Sequence, residues 1–448
     1  MDPVLLARVQ FALTAIFHFL YPPISIGLAW LIVYIGWRYV RTGEAVFKEM
    51  SQFWVRILAL IFAVGVATGI TLEFQFGTNW STYSRFVGDI FGSPLAAEGV
   101  FAFFLESSFM GVLVLGRNRV SKRFYWFASL MVALGSTLSA FWIIAANSWM
   151  QTPTAYTIVD GRAVLTNFWA AVFNPSTLPR YLHTVVASIV SGSFFMAGIS
   201  AWYLLKKRHV EFAQRSLTIA VIAAAIFSLG VLGVGHFHAI QVAETQPAKM
   251  AAFEGVFETE DGAAMVFFGI PDVSKQVIHL RIAMPKLLSL LIYMDPNATV
   301  AGLDQFSRDL WPPVEITFYS YHVMMLLGFY FIGVSLLGVF LLLCKRLFTS
   351  RWYLWVLLAS LLLPLLALEF GWMAAEMGRQ PWVVYGLLKT LNAASVVVPA
   401  GQILFTLILF AVIYSLLLAL LVYLLKREFA RGPQPVHVEV EAHKEVKR

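Results

Sequence analysis

Residues 400–425 read AGQILFTLILFAVIYSLLLALLVYLL, a run without Asp, Glu, Lys or Arg that is closed by Lys426 and Arg427. Coiled as a helix at about 1.5 Å per residue, it reaches about 39 Å, beyond the roughly 30 Å of a bilayer's hydrocarbon core. Such a segment is a membrane span. The same reading, carried outward, gives most of eight more, near 9–37, 55–76, 98–116, 124–146, 182–205, 216–239, 318–344 and 352–375. Composition agrees: the 448 residues are 59% hydrophobic and only 13% charged, about half the charge that a soluble domain carries. The expected fold is therefore all-α, a polytopic membrane protein with nine transmembrane helices.

Nine spans put the termini on opposite sides, and the basic residues choose which. Arg38, Arg41, Lys48 and Arg56 follow span 1; Arg117, Arg119, Lys122 and Arg123 follow span 3. Lys206, Lys207, Arg208 and Arg215 follow span 5, and Lys345, Arg346 and Arg351 follow span 7. With the tail, about two-thirds of the 32 Lys and Arg fall on one side, mostly in short loops, where the positive-inside rule applies. This predicts an outer N-terminus and a cytoplasmic C-terminus. The start, MDPVLLARVQ, lacks a basic region and small-residue cleavage site, so no cleaved signal peptide is expected. The chain divides into spans 1–6 (1–239), an outer loop (240–317), spans 7–9 (318–426) and a cytoplasmic tail (427–448). The loop's Phe253, Phe257, Phe267, Phe268 and Trp311 suit a folded cap on the outer surface.

Composition also excludes. A single cysteine, Cys344, removes disulfide frameworks, zinc clusters and iron–sulfur ligation. The net charge of +7 lies in clusters between apolar runs, which is orientation in a membrane rather than a nucleic-acid face. No internal repeat supports an inverted-repeat transporter.

Ionisable groups inside a bilayer cost several kcal/mol and are functional candidates by default. Here they are His18, Glu73, Glu98, Glu106, His183, His322, Glu369 and Glu376, with Arg379 just beyond. Most sit toward the outer ends of their spans. His and Met are the side chains that hold low-spin haem iron. Glu98 and Glu106, eight residues apart in span 3, fall on neighbouring helix faces about 12 Å apart along the axis, a spacing suited to a proton relay. A packing role for each histidine, and lipid-facing roles for the aromatics, are equally open from the residues alone. His236 and His238 at the end of span 6 read as a surface feature.

The segments ALTAIFHFLYPP (12–23), GVATGITLEFQFGTNW (65–80), FGSPLAAEGVFAFFLES (91–107), ANSWMQTP (146–153) and GWMAAEMGRQPW (371–382) resemble those of subunit I of cytochrome bd-type quinol oxidases. The resemblance runs from near residue 1 to about 430. It implies the haem-bearing catalytic subunit of a terminal oxidase, in a prokaryotic plasma membrane, that oxidises quinol outside and reduces dioxygen to water with cytoplasmic protons. It implies two haem b and one haem d, with a third b-type haem as the alternative to d. A subunit II partner is implied, with room for a small single-span accessory subunit.

Residue by residue, His183 and Met324 match the low-spin haem ligands, with Met325 adjacent. His18 and Glu98 match ligands of the two high-spin haems, and which serves which stays open. Glu376 matches the glutamate beside the high-spin haem b, with Trp372 between the haems and Arg379 toward haem propionates. Glu106, Ser107, Ser108 and Ser139 match a proton path. Lys249 and Glu254 match a quinol-binding pair, which makes 240–317 the quinol-binding loop. In two respects the chain departs from the family's pattern. His322 stands where an arginine is expected two residues before the methionine ligand, and the outer loop lacks a long insertion carried by some members.

Two other classes compete. A proton-coupled transporter needs broken helices and no haem. The cytochrome b of quinol:cytochrome c reductases needs paired histidines repeated on two helices, a pattern not found here.

Overall fold

The computed structural model describes residues 2–434. Among them, nine helical segments are long and apolar enough to cross a membrane, matching the nine expected spans. Span 1 is α1 (Pro3–Phe19) and α2 (Pro22–Thr42), broken where Pro22 and Pro23 open the second helix. Proline has no N–H to give to the preceding turn, so the chain bends there. Span 2 is α3 (Ala45–Thr78). Span 3 joins α4 (Ser81–Ala97), a π-helical segment (Glu98–Phe103) and α5 (Phe104–Leu115). Spans 4 to 6 include α6 (Lys122–Gln151), then, after a short α7 (Phe168–Val172), α8 (Thr177–Leu205) and α9 (Val210–Thr245).

A long connection follows, with α10 (Pro247–Glu254) and α11 (Leu287–Tyr293). Span 7 is α12 (Val314–Leu343). Span 8 is α13 (Arg351–Ala359) with α14 (Leu363–Met377), and span 9 is α15 (Ala400–Arg431). Eight short strands pair antiparallel in two-stranded ribbons outside the spans. They are β1 (Tyr156–Val159), β2 (Arg162–Leu165), β3 (Glu260–Asp261), β4 (Met265–Asp272), β5 (Val277–Met284), β6 (Thr299–Val300), β7 (Trp382–Val384) and β8 (Leu388–Lys389).

The helices outrun the charge-free windows. α3 begins ten residues before its expected start and includes Lys48 and Arg56, because long basic side chains can lie along the helix and reach polar surroundings. The third span shows the largest difference. It starts at Ser81, not 98, since Arg85 and Asp89 are helical. Glu98 therefore lies in the middle of that span rather than opening it. The last helix continues to Arg431, so the boundary expected at 426 moves outward, and residues 435–448 of the expected tail lie outside the described residues.

α8 is the axis of the bundle: most of its apolar window is buried, whereas α15 is the most exposed span. Gly192 of α8 and Gly27 of α2 lie backbone to backbone, and a Cβ on either would enter the other's main chain. Small residues allow this approach in a bilayer, where dispersion contacts hold helices together. The serines of α8 need no partner helix; Ser193 and Ser200 donate to carbonyls four residues back, each at 2.7 Å. The ends of α8, α9, α12 and α14 that adjoin the long connection surround the site.

Candidate functional site

Those four helix ends and α10 enclose a largely apolar cavity of about 900 Å³. His183, Met324, Trp372, Lys249 and Glu254 all line it, with Met325 beside Met324, so five of the expected site residues meet in one space. His183 rises from α8 with its Nδ1 buried and without a hydrogen-bond partner. Gly235 of α9 lies against its ring, and a Cβ there would stand 3.2 Å from Cε1. Met324 on α12 is seated the same way: a Cβ on Gly371 of α14 would lie 2.7 Å from its Sδ. The histidine and the methionine are thus each packed against a glycine of the neighbouring helix.

Lys249 and Glu254 sit on α10, nearly fully buried, and they do not pair with each other. Lys249 Nζ donates to Gln151 Oε1 at 2.5 Å and to Gln246 Oε1. Burial holds its ammonium well below the usual lysine range, with Arg180 and Arg379 pushing the same way. Burial also pushes the Glu254 carboxyl up to about 7, against the pull of the Tyr321 hydroxyl.

Beside the cavity, Glu376 at the end of α14 bonds to Arg379, accepts from Gln151 Nε2 at 3.2 Å and lies 3.7 Å from Arg180. Arg379 is 4% exposed, and its Nε and Nη1 are buried with no partner. Two guanidinium groups share one carboxylate, which leaves positive charge uncompensated in a buried place.

His18 and Glu98 lie outside this cavity, each on a different neighbour. His18 closes α1 against α3, where its Nδ1 meets Thr68 Oγ1 at 3.0 Å. That hydroxyl donates to the carbonyls of Val64 and Gly65, both at 3.0 Å. With its proton given to either carbonyl it accepts from His18 Nδ1–H, the tautomer that leaves the Nε2 lone pair free. Gly69 lies against the same ring; a Cβ there would come 3.1 Å from Cε1.

Glu98 Oε1 accepts from Ser139 Oγ of α6 at 2.7 Å. Glu106 is buried with its Cβ beside Gly135 of α6. Ser139 and Gly135 are four residues apart, so both glutamates face α6, one turn from each other's contact, rather than neighbouring faces. The π-helical turn between them explains this. Its i→i+5 bonding absorbs one extra residue and swings Glu106 back beneath Glu98. Ser107 returns its hydroxyl to Phe104 O and Ser108 is exposed, so neither joins the Glu98–Ser139–Glu106 face.

His322 does not line the cavity. It is 4% exposed, stacked on Phe318 at 3.9 Å between centroids. Its Nδ1 meets Phe318 O and its Nε2 meets Val266 O, both at 2.9 Å. It straps β4 of the long connection to α12, two residues before Met324. His236 and His238 are not a surface feature: both line the cavity, and the His238 ring is 5.8 Å from that of His183.

Sequence reasoning missed Arg180, Gln151, Gln246 and the three glycines. Arg180 precedes the charge-free window that opened span 5, although a position three residues before His183 places it on the same helix face. The glutamines carry no charge, and a search for intramembrane charges passes over them.

The family description "Cytochrome bd terminal oxidase subunit I" matches residues 6–433. The chain belongs to that family. A cytochrome bd ubiquinol oxidase subunit 1 of Bacillus subtilis (strain 168) is 41% identical over 444 residues, 97% of this chain and 95% of that one. The cytochrome bd-II ubiquinol oxidase subunit 1 of Escherichia coli (strain K12) is 36% identical, covering 98% of each. The structure of bd oxidase from Geobacillus thermodenitrificans superposes with a TM-score of 0.91 at 30% identity, covering 96% of this chain and 99% of that one.

As a bd oxidase subunit I, the chain is a multi-pass membrane component of a quinol:oxygen oxidoreductase, with haem cofactors, a quinol substrate and a subunit II partner. The residues present fit a haem: an unpartnered buried imidazole nitrogen, a thioether and an apolar space share one cavity, with spare guanidinium donors beside it.

Proposed function

We propose that this subunit I oxidises quinol at the outer face of a prokaryotic plasma membrane and supports dioxygen reduction with protons drawn from the cytoplasm. The observation that carries the reading is the single cavity in which the Lys249–Glu254 end and the His183–Met324 pair meet. Lys249 Nζ, held by two amide oxygens, hydrogen-bonds a quinol oxygen. The Glu254 carboxylate accepts a quinol proton as the electron leaves, a task that suits a carboxyl near neutrality. His183 and Met324 would hold the low-spin haem; His18 Nε2 and the Glu98 carboxylate would hold the two high-spin haems. Glu376 and Trp372 stand beside that pair of haems.

Bound there, two haem b and one haem d (or a third b) supply one-electron transfer and an open iron position for dioxygen. The unused donors of Arg379, with Arg180, suit the haem propionates, since guanidinium pairs with carboxylates in bidentate fashion. Glu106, Ser139 and Glu98 conduct protons inward from the cytoplasmic side along the α5–α6 contact. Two quinols yield two quinones, four electrons and four protons, the protons leaving outside. One dioxygen takes the four electrons and four cytoplasmic protons to give two waters. The membrane is charged without a pump.

A reduced-minus-oxidised spectrum of the purified oxidase, with extraction and identification of its haems, tests this. A chlorin band far to the red with two haem b is the expected result. A preparation containing only b-type haem would move the dioxygen site to haem b, and one without haem would overturn the reading.

A further inference from the structure

The ANSWMQTP segment marks the family resemblance, yet none of the roles above explains it. Gln151, 2% exposed at the end of α6, supplies the explanation. Its Oε1 accepts from Lys249 Nζ at 2.5 Å, while its Nε2 donates to Glu376 Oε1 at 3.2 Å. The two partners fix the amide's orientation, because an ammonium or amine donor needs the oxygen and a carboxylate needs the NH₂. Gln151 is held from behind as well, since its main-chain carbonyl accepts from Gln246 Nε2 at 3.0 Å, and Gln246 is the second holder of Lys249. One side chain therefore spans α10, which carries the quinol end, and α14, which carries Glu376.

We infer that Gln151 is a positioning residue that couples the quinol end of the site to Glu376, so that a ligand oxygen taking Lys249 Nζ changes the hydrogen bonding of Glu376. The inference rests on the proposed roles of Lys249 and Glu376. An ammonium has three N–H groups and the two amides take two of them, so a quinol oxygen takes the third and draws Nζ toward itself. The Gln151 amide that aims Nζ follows it, its NH₂ shifts from Glu376, and that carboxylate is left more to Arg379 and Arg180. Shortening the side chain by one methylene keeps the amide but breaks the span, which makes Gln151→Asn the informative change. Gln151→Leu removes both bonds.

The test uses the whole oxidase with its partner subunit and heptyl-hydroxyquinoline N-oxide as a mimic of the quinol headgroup, binding being read from the inhibitor's own fluorescence. Gln151→Asn and Gln151→Leu are each expected to weaken binding about tenfold. Combined with Lys249→Met, either is expected to add nothing further, because Gln151 acts through Lys249. Full additivity, or unchanged binding in Gln151→Asn, would overturn the inference.

The far end is read by redox-difference infrared spectra. A carboxyl band lost in Glu376→Gln should shift when the inhibitor binds, and that shift should vanish in Gln151→Asn. A shift of full size in Gln151→Asn overturns the coupling. A spectrum with no band attributable to Glu376 also overturns the coupling, and affinities that still respond to Gln151→Asn then show that the fault lies with Glu376 and not with the quinol end.

Discussion

Replacing Gly371 by alanine puts a methyl group where the Met324 thioether now rests. The added Cβ would stand 2.7 Å from Sδ and 3.5 Å from Cγ. Relaxed heavy-atom contacts lie at about 3.5–4.0 Å, so the sulfur must retreat by about 1 Å. Forcing a methyl into a packed site costs about 1–3 kcal/mol. If Met324 holds the low-spin iron as proposed and that cost falls on its bond, the reduced form loses more, because a methionine ligand raises the potential. At about 59 mV per tenfold change for one electron, the fall is about 40–130 mV. The assay is a redox titration of the low-spin haem in membranes, followed by its visible band. Gly333→Ala is the control: it lies on α12 with nothing within 4 Å of the added Cβ. A Gly371→Ala midpoint that matches the Gly333→Ala midpoint, with haem content equal, would refute the seating of the ligand on this glycine.

Met324→Leu is expected to abolish the low-spin spectral signature while Met325→Leu keeps it; the reverse would assign the ligand to Met325. For Glu254, burial raises the carboxyl to about 7, so the proton acceptor is available above that pH, and quinol-driven oxygen uptake should rise as pH passes through about 7. Glu254→Gln should lose that limb and about 100-fold or more of the rate; a limb that survives would point to another acceptor. The same shift has the opposite sign for folding: its contribution is full below the ordinary carboxyl range and is lost as pH rises through about 7. Glu106→Leu should slow turnover while all haems remain by extraction; loss of haem instead would make the residue structural.

The spans were legible because a bilayer imposes a simple rule on composition, and each of the nine expected windows overlaps one of the nine membrane-crossing helical segments. Their ends were not. Arg85 and Asp89 are helical in α4 although they are charged, so Glu98 moved from the start of a span to its middle. The site was legible where chemistry is concentrated in one side chain, as at His183, Met324, Lys249 and Glu254, which the structure gathers around one cavity. It was illegible where the work is done by what is absent or uncharged. Gly69, Gly235 and Gly371 matter through a missing Cβ, and Gln151 through an amide that faces two ways; neither leaves a mark in charge or hydropathy. Thr68 is read only with its acceptors, since the Val64 and Gly65 carbonyls decide which way its proton points. His322, which stands where the family's pattern has an arginine, does not reach the cavity; its ring meets the carbonyls of Phe318 and Val266 and ties the long connection to α12.

The π-helical turn at Glu98–Phe103 gives span 3 a phase correction of one residue. Everything before it keeps one helical phase and everything after it another, and that offset brings both glutamates to α6. Were the same residues to close as ordinary α-helix, the downstream half would screw by about 100° and 1.5 Å relative to the upstream half. Glu106 would then leave Gly135 while Glu98 kept Ser139, although no side chain at either glutamate had changed. Removing one residue of the turn, Val100 for example, would offset that screw, because seven α-helical steps leave the two glutamates within about 20° of one face. Length at this point of the chain is thus as much a determinant of the glutamate line as the glutamates themselves.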